Sequence, residues 1–407
     1  MEISSAIPPG IKFGVIGLGQ CGGNITEEFY RRGYPGITMN TSYTDLRGGY
    51  LPAVKRFHVG TQGHDGAGQD MELGGKYLLA NSKRILETVN REFGDAEMLL
   101  LVSGLGGGTG SNLNVLAKIL EELDIPMSAL VSLPLASEGS IKKINAMRGL
   151  NDLLSSPVKS IALIDNQKIF TMLPEVELSN LYREANGFVV SIFDRINRLT
   201  RHPGFTPVRN FDSEDLRRFF NTEGIMLFGE TELTERDFKD ETGLSTKLSE
   251  IWDKGGLLSS GFDYSEASMV AAVLTGPASM LKSASLSRFE RFTAGIKDLI
   301  NSGGIYTGIF QVPEGREASM LTIVAGLTIP DRVNEILEEA KSEGKMLSMK
   351  ISHTIEDLDL GDLEDVEFFP KGRKLSPETV FNEGGEDTEM KEDENFKIEP
   401  WSGESEN

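Results

Sequence analysis

The chain has 407 residues, a formal net charge of −21, 39% hydrophobic residues, four histidines and one cysteine. This length allows two domains with a sizeable core, whereas the acidic balance argues against non-specific nucleic-acid binding. One cysteine excludes an intrachain disulfide, the histidines show no metal-ligand spacing, and no apolar run approaches the roughly 18 residues of a membrane span. We therefore expect a cytoplasmic protein without a protein-held metal, a membrane contact or direct nucleic-acid binding.

Apolar runs alternate with amphipathic stretches over the first half of the chain. The predicted strands are Lys12–Ile16, Ile37–Met39, Met98–Val102, Met127–Leu133 and Val158–Ile164. The predicted helices include Asp70–Glu92, Leu113–Leu123 and Glu138–Leu154. This alternation predicts an α/β fold with a parallel sheet covered by helices on both faces, and a ligand site outside the carboxyl ends of the strands.

The first glycine-rich loop, Gly17–Asn24, follows the first predicted strand and contains the spacing Gly-x-Gly-x-x-Gly. That spacing occurs in dinucleotide-binding proteins, which usually hold the ribose with an Asp or Glu at the end of the second strand. Here the second strand is followed by Asn40 and Thr41. An NAD-dependent oxidoreductase is therefore the weaker interpretation of this loop.

The segment Gly104–Ser111 carries most of the functional information, because five of its eight residues are glycine. It joins a predicted strand to a predicted helix, so its backbone N–H groups and the helix N-terminus can face one anion, and a phosphate is expected there. Thr109 and Ser111 can donate hydroxyl hydrogen bonds or cap the helix. A flexible linker is the alternative interpretation, but flexible linkers are not bounded so directly by a strand and a helix. The loop lacks the Gly-Lys-Ser/Thr ending of a P-loop.

Three further segments are candidates for the site. They are the small-residue segment Gly63–Gly68 and, directly after predicted strands, Leu133–Gly139 and the pair Asp165-Asn166. The first can supply N–H donors from small residues or be a plain surface turn. In the second, Glu138 can accept hydrogen bonds from a ligand or simply favour the start of the next helix.

A long amphipathic helix is predicted from Leu178 to Leu199, and Tyr182 and Asn186 share one of its faces. Arg201–Arg209, with its prolines and glycine, ends this helix. The later predicted elements are strands Ile225–Phe228, Met269–Leu274, Ile305–Phe310 and Leu321–Val324 and a helix Arg332–Ser342. They indicate a smaller α+β domain.

The segment Asn210–Asp215 and the end of the chain each allow two interpretations. Asp212 can be an ordinary helix N-cap with acids in the first turn, or a catalytic carboxylate. Residues 354–407 contain 18 acidic and 5 basic residues, a composition typical of disorder. This tail either aids solubility or carries a motif near Phe396–Trp401 that docks an adaptor protein or a neighbouring subunit.

These loops resemble those of the tubulin and FtsZ superfamily of GTPases, whose signature Gly-Gly-Gly-Thr-Gly-Ser/Thr matches Gly106–Ser111. The resemblance implies a Rossmann-like GTP-binding domain over 11–176, a central helix and catalytic loop over 177–222, a C-terminal activation domain over 223–353 and an acidic disordered tail over 354–407. Some stretches are similar to the archaeal CetZ cell-shape proteins. Others are similar to the TubZ and PhuZ group, which moves or positions plasmid and phage DNA.

The resemblance also implies a site for GTP and GDP, with Mg²⁺ on the phosphates. The implied contacts to phosphates and guanine are Gly19, Gln20, Cys21, Asn24, Asn40, Thr41, Gly66, Ala67, Gly68, Gly106, Gly107, Gly108, Thr109, Gly110 and Ser111. Those implied at the ribose and base are Glu138, Asn166, Tyr182 and Asn186.

Asp212 and Asp215, assisted by Asn210, are implied to hydrolyse the GTP of the next subunit in a head-to-tail filament. The leading functional hypothesis is a polymerising GTPase for plasmid or phage DNA segregation. A division or cell-shape filament and a non-polymerising nucleotide switch are the alternatives.

Overall fold

One continuous mixed sheet of eleven strands runs through the described part of the chain in the computed structural model. The described residues are 7–61, 65–172, 177, 180–253, 259, 261–300 and 303–352. The strands are β1 Phe13–Leu18, β2 Gly36–Asn40, β3 Arg56–His58, β4 Met98–Gly104, β5 Met127–Leu133, β6 Ser160–Asp165, β7 Thr206–Arg209, β8 Gly224–Leu233, β9 Met269–Pro277, β10 Gly304–Val312 and β11 Ala318–Leu327.

The strand order is β3-β2-β1-β4-β5-β6-β8-β11-β9-β10-β7. The strands from β3 to β8 pair in parallel, so the carboxyl ends of β1, β2, β4, β5 and β6 meet along one edge. Beyond β8 the sheet is mixed, because β11 is antiparallel to both of its neighbours. This arrangement confirms the predicted α/β class with its parallel sheet.

Helices cover the sheet and connect its strands. They are α1 Gly19–Arg31, α2 Tyr43–Arg47, α3 Met71–Ala80, α4 Ser82–Phe93, α5 Leu113–Leu120, α6 Ser140–Leu154, α7 Asn166–Met172, α8 Leu181–Leu199, α9 Ser213–Phe220, α10 Glu235–Lys239, α11 Gly243–Asp253, α12 Ala278–Leu281, α13 Leu286–Leu299 and α14 Asp331–Ser352. Among the described residues, no helix combines the length and apolar character needed to cross a bilayer.

The central helix α8 joins the two halves of the chain through an aromatic cluster. The ring of Phe193 meets the rings of Phe13, Phe29, Phe220 and Phe228 edge to face, with centroids 5.0 to 5.7 Å apart. Such pairs add about 0.5–1.5 kcal/mol each to the energy of burial. The cluster therefore fixes α8 against β1 and α1 on one side and against α9 and β8 on the other.

The structure corrects one sequence-based expectation and adds a strand to a segment for which the sequence predicts only the end of a helix. The predicted helix Asp70–Glu92 is two helices, interrupted at Asn81, whose side-chain amide donates to the carbonyl oxygens of Tyr77 (2.9 Å) and Val59 (3.1 Å). The predicted break Arg201–Arg209 contains the edge strand β7, which pairs with β10. Residues 178–179 of the predicted long helix, and the predicted tail 354–407, lie outside the described residues. The proposed domain boundaries remain a prediction.

Candidate nucleotide-binding site

A cavity of about 570 Å³ lies at the carboxyl edge of the parallel strands. Its volume is in the usual range for small-ligand sites. The predicted nucleotide contacts that line it are Gly19, Gln20, Cys21, Asn24, Asn40, Thr41, Gly66, Ala67, Gly68, Gly106, Gly107, Gly108, Thr109, Gly110, Glu138, Asn166, Tyr182 and Asn186. Residues that are far apart in the chain are thus brought together at one cavity. Ser111, which is also a predicted nucleotide contact, is not part of the lining.

The β4–α5 loop needs glycine because its backbone packs closely against other backbone. A Cβ atom on Gly108 would lie 2.7 Å from both the amide nitrogen and the carbonyl oxygen of Asp70, and one on Gly110 would lie 2.5 Å from the oxygen of Gly104. Gly106 has a φ of +122°, which side-chain-bearing residues rarely adopt. The glycines of this loop line the cavity, where backbone N–H groups can form a phosphate cradle.

Two hydroxyl groups join neighbouring loops beside this cradle. The Oγ1 atoms of Thr41 and Thr109 are 2.6 Å apart, and both side chains are buried. Ser111 is fully buried, and its Oγ accepts a hydrogen bond from the N–H of Gly106 at 2.8 Å. Ser111 thus stabilises the loop through this hydrogen bond without lining the cavity.

The N-terminus of α1 is a second donor group on the cavity wall. Leu18, at the N-cap, makes no side-chain capping bond, and the first turn contains no acidic residue. The first N–H groups of a helix have no intrahelical partners, and the helix dipole favours an anion there. Burial raises the pKa of the nearby Cys21 thiol, which favours its protonated form.

The cavity lining also includes an aromatic ring and amide groups. Tyr182 is 54% exposed and packs edge-on against Phe170, with centroids 5.4 Å apart. Asn186 lies one turn later on α8, and Asn166 begins α7. A ring and two amides are the groups that stack on a planar base and hydrogen-bond its edge.

Glu138 lies at the cavity and at the start of α6, and its role as a ligand contact stays a prediction. It lines the cavity, and its carboxylate also accepts hydrogen bonds from the N–H of Leu135 (2.9 Å) and the Nζ of Lys142 (2.6 Å). These bonds fix the carboxylate at the start of α6.

Sequence reasoning missed several polar residues of the lining: Ser42, Asp45, Asp65, Gln69 and Lys142. Asp65 accepts from the backbone N–H and the hydroxyl of Thr44, so it ties the Gly66–Gly68 segment to α2. Asp65 lies within the segment Gly63–Gly68 that the sequence singled out, and Lys142 is four residues after Glu138. Both positions were therefore detectable.

The predicted catalytic residues lie away from this cavity. Asp212 caps α9 by accepting from the N–H groups of Glu214 (2.9 Å) and Asp215 (3.0 Å). The Asp215 carboxylate accepts in return from the Asp212 N–H at 3.1 Å, and the Asn210 amide donates to Asp212 at 3.4 Å. The three side chains therefore form one fixed cluster.

This cluster is at the opposite edge of the parallel strands. In α9, Arg217 pairs with Glu97 at 2.7 Å, and Glu97 directly precedes β4. The glycine loop follows the other end of β4, a strand of 7 residues. At about 3.3 Å per residue, the strand separates the two groups by roughly 20 Å.

Among the described residues, no group of three or more His, Cys, Asp and Glu side chains is close enough to share a metal ion. Mg²⁺ in nucleotide sites is held mainly by phosphates and water, with one or two carboxylates. The cavity wall offers the carboxylates of Asp45 and Asp65 and the hydroxyls of Thr41 and Thr109. This donor set fits an ion that enters with the nucleotide.

The fold and the cavity define an α/β protein with glycine-rich loops around a small-ligand site at the carboxyl edge of its parallel strands. A family model described as "Tubulin/FtsZ family, GTPase domain" matches residues 12–174. A second, described as "Tubulin/FtsZ-like protein TubZ-like, C-terminal domain", matches residues 206–337. The chain therefore belongs to the tubulin/FtsZ superfamily and is a GTPase that binds GTP and GDP.

Individual relatives place it with the filament-forming TubZ and CetZ proteins of this superfamily. It is 27% identical to the tubulin-like protein TubZ of Bacillus cereus, over 87% of this chain and 88% of the relative. It is 28% identical to the tubulin-like protein CetZ of Pyrococcus abyssi, over 80% of this chain and 88% of the relative. A GTPγS-form protofilament of Bacillus thuringiensis serovar israelensis TubZ matches its fold with a TM-score of 0.72 at 19% identity, over 86% of this chain and 96% of that one.

Proposed function

We propose that this GTPase polymerises head to tail and hydrolyses GTP only where two subunits meet. One observation carries the proposal: the Asn210–Asp215 cluster is roughly 20 Å from the cavity, at the other edge of the same sheet. A subunit therefore cannot bring its own carboxylates to its own γ-phosphate. Stacking the carboxyl edge of one subunit on the amino edge of the next brings the two groups together, and such a heterologous contact generates a filament.

The cavity residues bind and orient the nucleotide in this mechanism. The N–H groups of the β4–α5 loop and of the α1 N-terminus hold the phosphates, while the Gly66–Gly68 segment contacts the γ-phosphate. Tyr182 stacks on guanine, Asn166 and Asn186 bind its edge, and Glu138 accepts from the ribose. Asp45 and Asp65, with the hydroxyls of Thr41 and Thr109, would hold a Mg²⁺ ion that enters with the nucleotide, and this ion would supply positive charge against the phosphates.

The neighbouring subunit supplies the groups that act on water. The capping box of α9 holds the carboxylates of Asp212 and Asp215 in place before assembly, so no ordering is needed at the contact. These carboxylates, with the amide of Asn210, position and polarise the water that attacks the γ-phosphate. GTP then favours assembly, and GDP favours disassembly.

We further infer that the cytoplasmic cargo is plasmid or phage DNA, reached through an adaptor protein that binds the acidic tail. The TubZ-like C-terminal match over residues 206–337 supports this role. The 28% identity to a CetZ protein supports a cell-shape or division filament as the second candidate. Deleting the gene distinguishes them, because the first role predicts loss of the DNA element with normal cell shape and the second predicts the reverse.

The polymer proposal is tested by GTP turnover per subunit against protein concentration, with Mg²⁺ and parallel light scattering. We expect both signals to rise above one shared threshold concentration. A turnover that stays flat with concentration, without scattering, contradicts the proposal and favours a non-polymerising switch.

A further inference from the structure

Helix α14 places acidic groups around a buried cation of α6. The side chain of Lys143 is 1% exposed, and its Nζ lies 3.1 Å from Glu339 and 2.5 Å from Glu343. Lys143 directly follows Lys142, which lines the nucleotide cavity. The position of the first turn of α6 thus depends on ion pairs with a helix near the other end of the described chain.

The same helix also reaches the end of β6. Arg332 is 9% exposed, and its Nε lies 3.4 Å from Oδ2 of the buried Asp165. Oδ1 of Asp165 accepts from the N–H of Gln167 at 3.0 Å, which fixes the start of α7 next to the cavity residue Asn166. Burial raises the pKa of the Asp165 carboxyl, and the Arg332 cation opposes that rise.

Glu339 connects the two contacts into one network. It pairs with Lys143 at 3.1 Å and with Nη1 of Arg332 at 3.1 Å. Removing one member of the buried Arg332–Asp165 pair leaves its partner uncompensated in a poorly solvated position, which is strongly unfavourable. The network therefore holds α14, α6 and the β6–α7 junction in one relative arrangement.

We propose that Arg332 is a positioning residue for nucleotide binding, and that the base and ribose end of the cavity takes its binding shape only while α14 is docked through Arg332 and Glu339. Arg332 touches no part of the cavity, so it acts through Asp165 on Asn166, and Glu339 acts through Lys143 on the start of α6. By linkage, the nucleotide and α14 docking stabilise each other by the same factor. A partner that pulls on the segment following α14 thereby weakens nucleotide binding. The inference rests on the proposed placement of GTP in this cavity.

The test is the dissociation constant of a fluorescent GDP analogue for purified full-length variants, with thermal unfolding measured in parallel. Arg332→Met should weaken binding at least tenfold. Adding Asp165→Asn to it should restore a large part of the affinity, because no uncompensated carboxylate remains. The matched control is Lys341→Met on the same helix. Among the contacts of the described structure, Lys341 pairs only with the exposed Glu338 (2.9 Å). This variant should therefore bind the analogue with wild-type affinity.

The proposal is overturned if Arg332→Met is less stable to heat but binds the analogue with wild-type affinity, because the pair is then a structural contact alone. If Arg332→Met does not fold, Glu339→Gln carries the same comparison, with at least a threefold loss expected and unchanged affinity refuting the proposal. The variant Asn166→Ala distinguishes a failure of the Arg332 proposal from a failure of the proposed placement of GTP in the cavity. Wild-type affinity in Asn166→Ala contradicts the placement of the base, whereas weak binding there with normal binding in Arg332→Met contradicts only the role of Arg332.

Discussion

Asp212 has a structural role and a proposed catalytic role, and one substitution separates them. Asp212→Asn keeps an oxygen that accepts the N–H groups of Glu214 and Asp215, now 2.9 and 3.0 Å from the carboxylate. Asn and Asp are about equally good N-caps, so the helix-dipole contribution of the charge is lost, about 0.3–1 kcal/mol of unfolding free energy. The long, exposed bond from the Asn210 amide (3.4 Å) is lost with it. The helix should remain formed and the protein folded.

The expected effect on catalysis is much larger. A positioned carboxylate that acts on the attacking water contributes about 10²–10⁴-fold, which corresponds to roughly 3–5 kcal/mol of activation free energy. Turnover is measured above the assembly threshold, with GTP binding and light scattering on the same samples. We expect normal GTP binding, turnover reduced at least about 100-fold, and filaments that outlast those of the wild type because GDP is not formed.

Asp237→Asn is a matched control for the companion variant Asp215→Asn. Asp237 has the same place in the capping box of α10, where it accepts from the N–H of Thr234 at 2.7 Å. It should leave turnover unchanged, whereas Asp215→Asn should reduce it. Turnover within twofold of wild type in Asp212→Asn refutes the catalytic assignment, and loss of GTP binding there means that the loop belongs to a different site.

Three further predictions concern the cavity and its support. Thr109→Ala removes the 2.6 Å contact with Thr41 and should weaken GDP-analogue binding about tenfold, since two loops lose a buried hydrogen bond. Unchanged binding and turnover would show that this hydroxyl plays no part in the site, since its side chain makes no capping bond in the structure. Gly108→Ala should abolish analogue binding in a filter or fluorescence assay, because the added Cβ would lie 2.7 Å from the Asp70 backbone. Normal binding would contradict the claim that the loop is too closely packed to accept a side chain. Burial lowers the pKa of Lys168 to about 8 from its usual 10.5, so the unfolded chain holds this proton more tightly between those values. The thermal stability of wild type relative to Lys168→Met should therefore rise from pH 8 to pH 10, and a constant difference would show that the folded lysine keeps its ordinary pKa.

The parallel strands and the cavity could be predicted from the sequence because their signals are local. Strand β4 is a short apolar run that passes directly into Gly104–Ser111, and a glycine loop after a strand has a limited set of structures. Tyr182 and Asn186 are one helical turn apart, which places them on one face whatever the rest of the chain does.

The continuous sheet and β7 could not be predicted in this way, because they depend on residues far apart in the chain. Parallel pairing of β6 with β8 makes one sheet of both halves. Strand β7 is exposed throughout and contains Pro207, so it has no apolar pattern and exists through its pairing with β10. Proline is tolerated there because β7 is an edge strand.

The Arg332–Asp165 pair also could not be predicted from the sequence, because its two residues are far apart in the chain. Nothing in the residues around Arg332 indicates which carboxylate it meets, and the helix pattern over Arg332–Ser342 predicts only that this segment is amphipathic. The structure supplies the partner, the 3.4 Å distance and the burial of both groups.

Complementation between two inactive variants tests the central claim most directly. Asp212→Asn keeps an intact cavity, and the double variant Tyr182→Ala/Asn186→Ala keeps an intact Asn210–Asp215 cluster, so each alone should hydrolyse almost no GTP. In an equal mixture that co-sediments, random head-to-tail stacking makes one contact in four productive, and turnover should recover to at most about a quarter of the wild-type rate. Co-assembled filaments that stay inactive would contradict hydrolysis by the carboxylates of a neighbouring subunit.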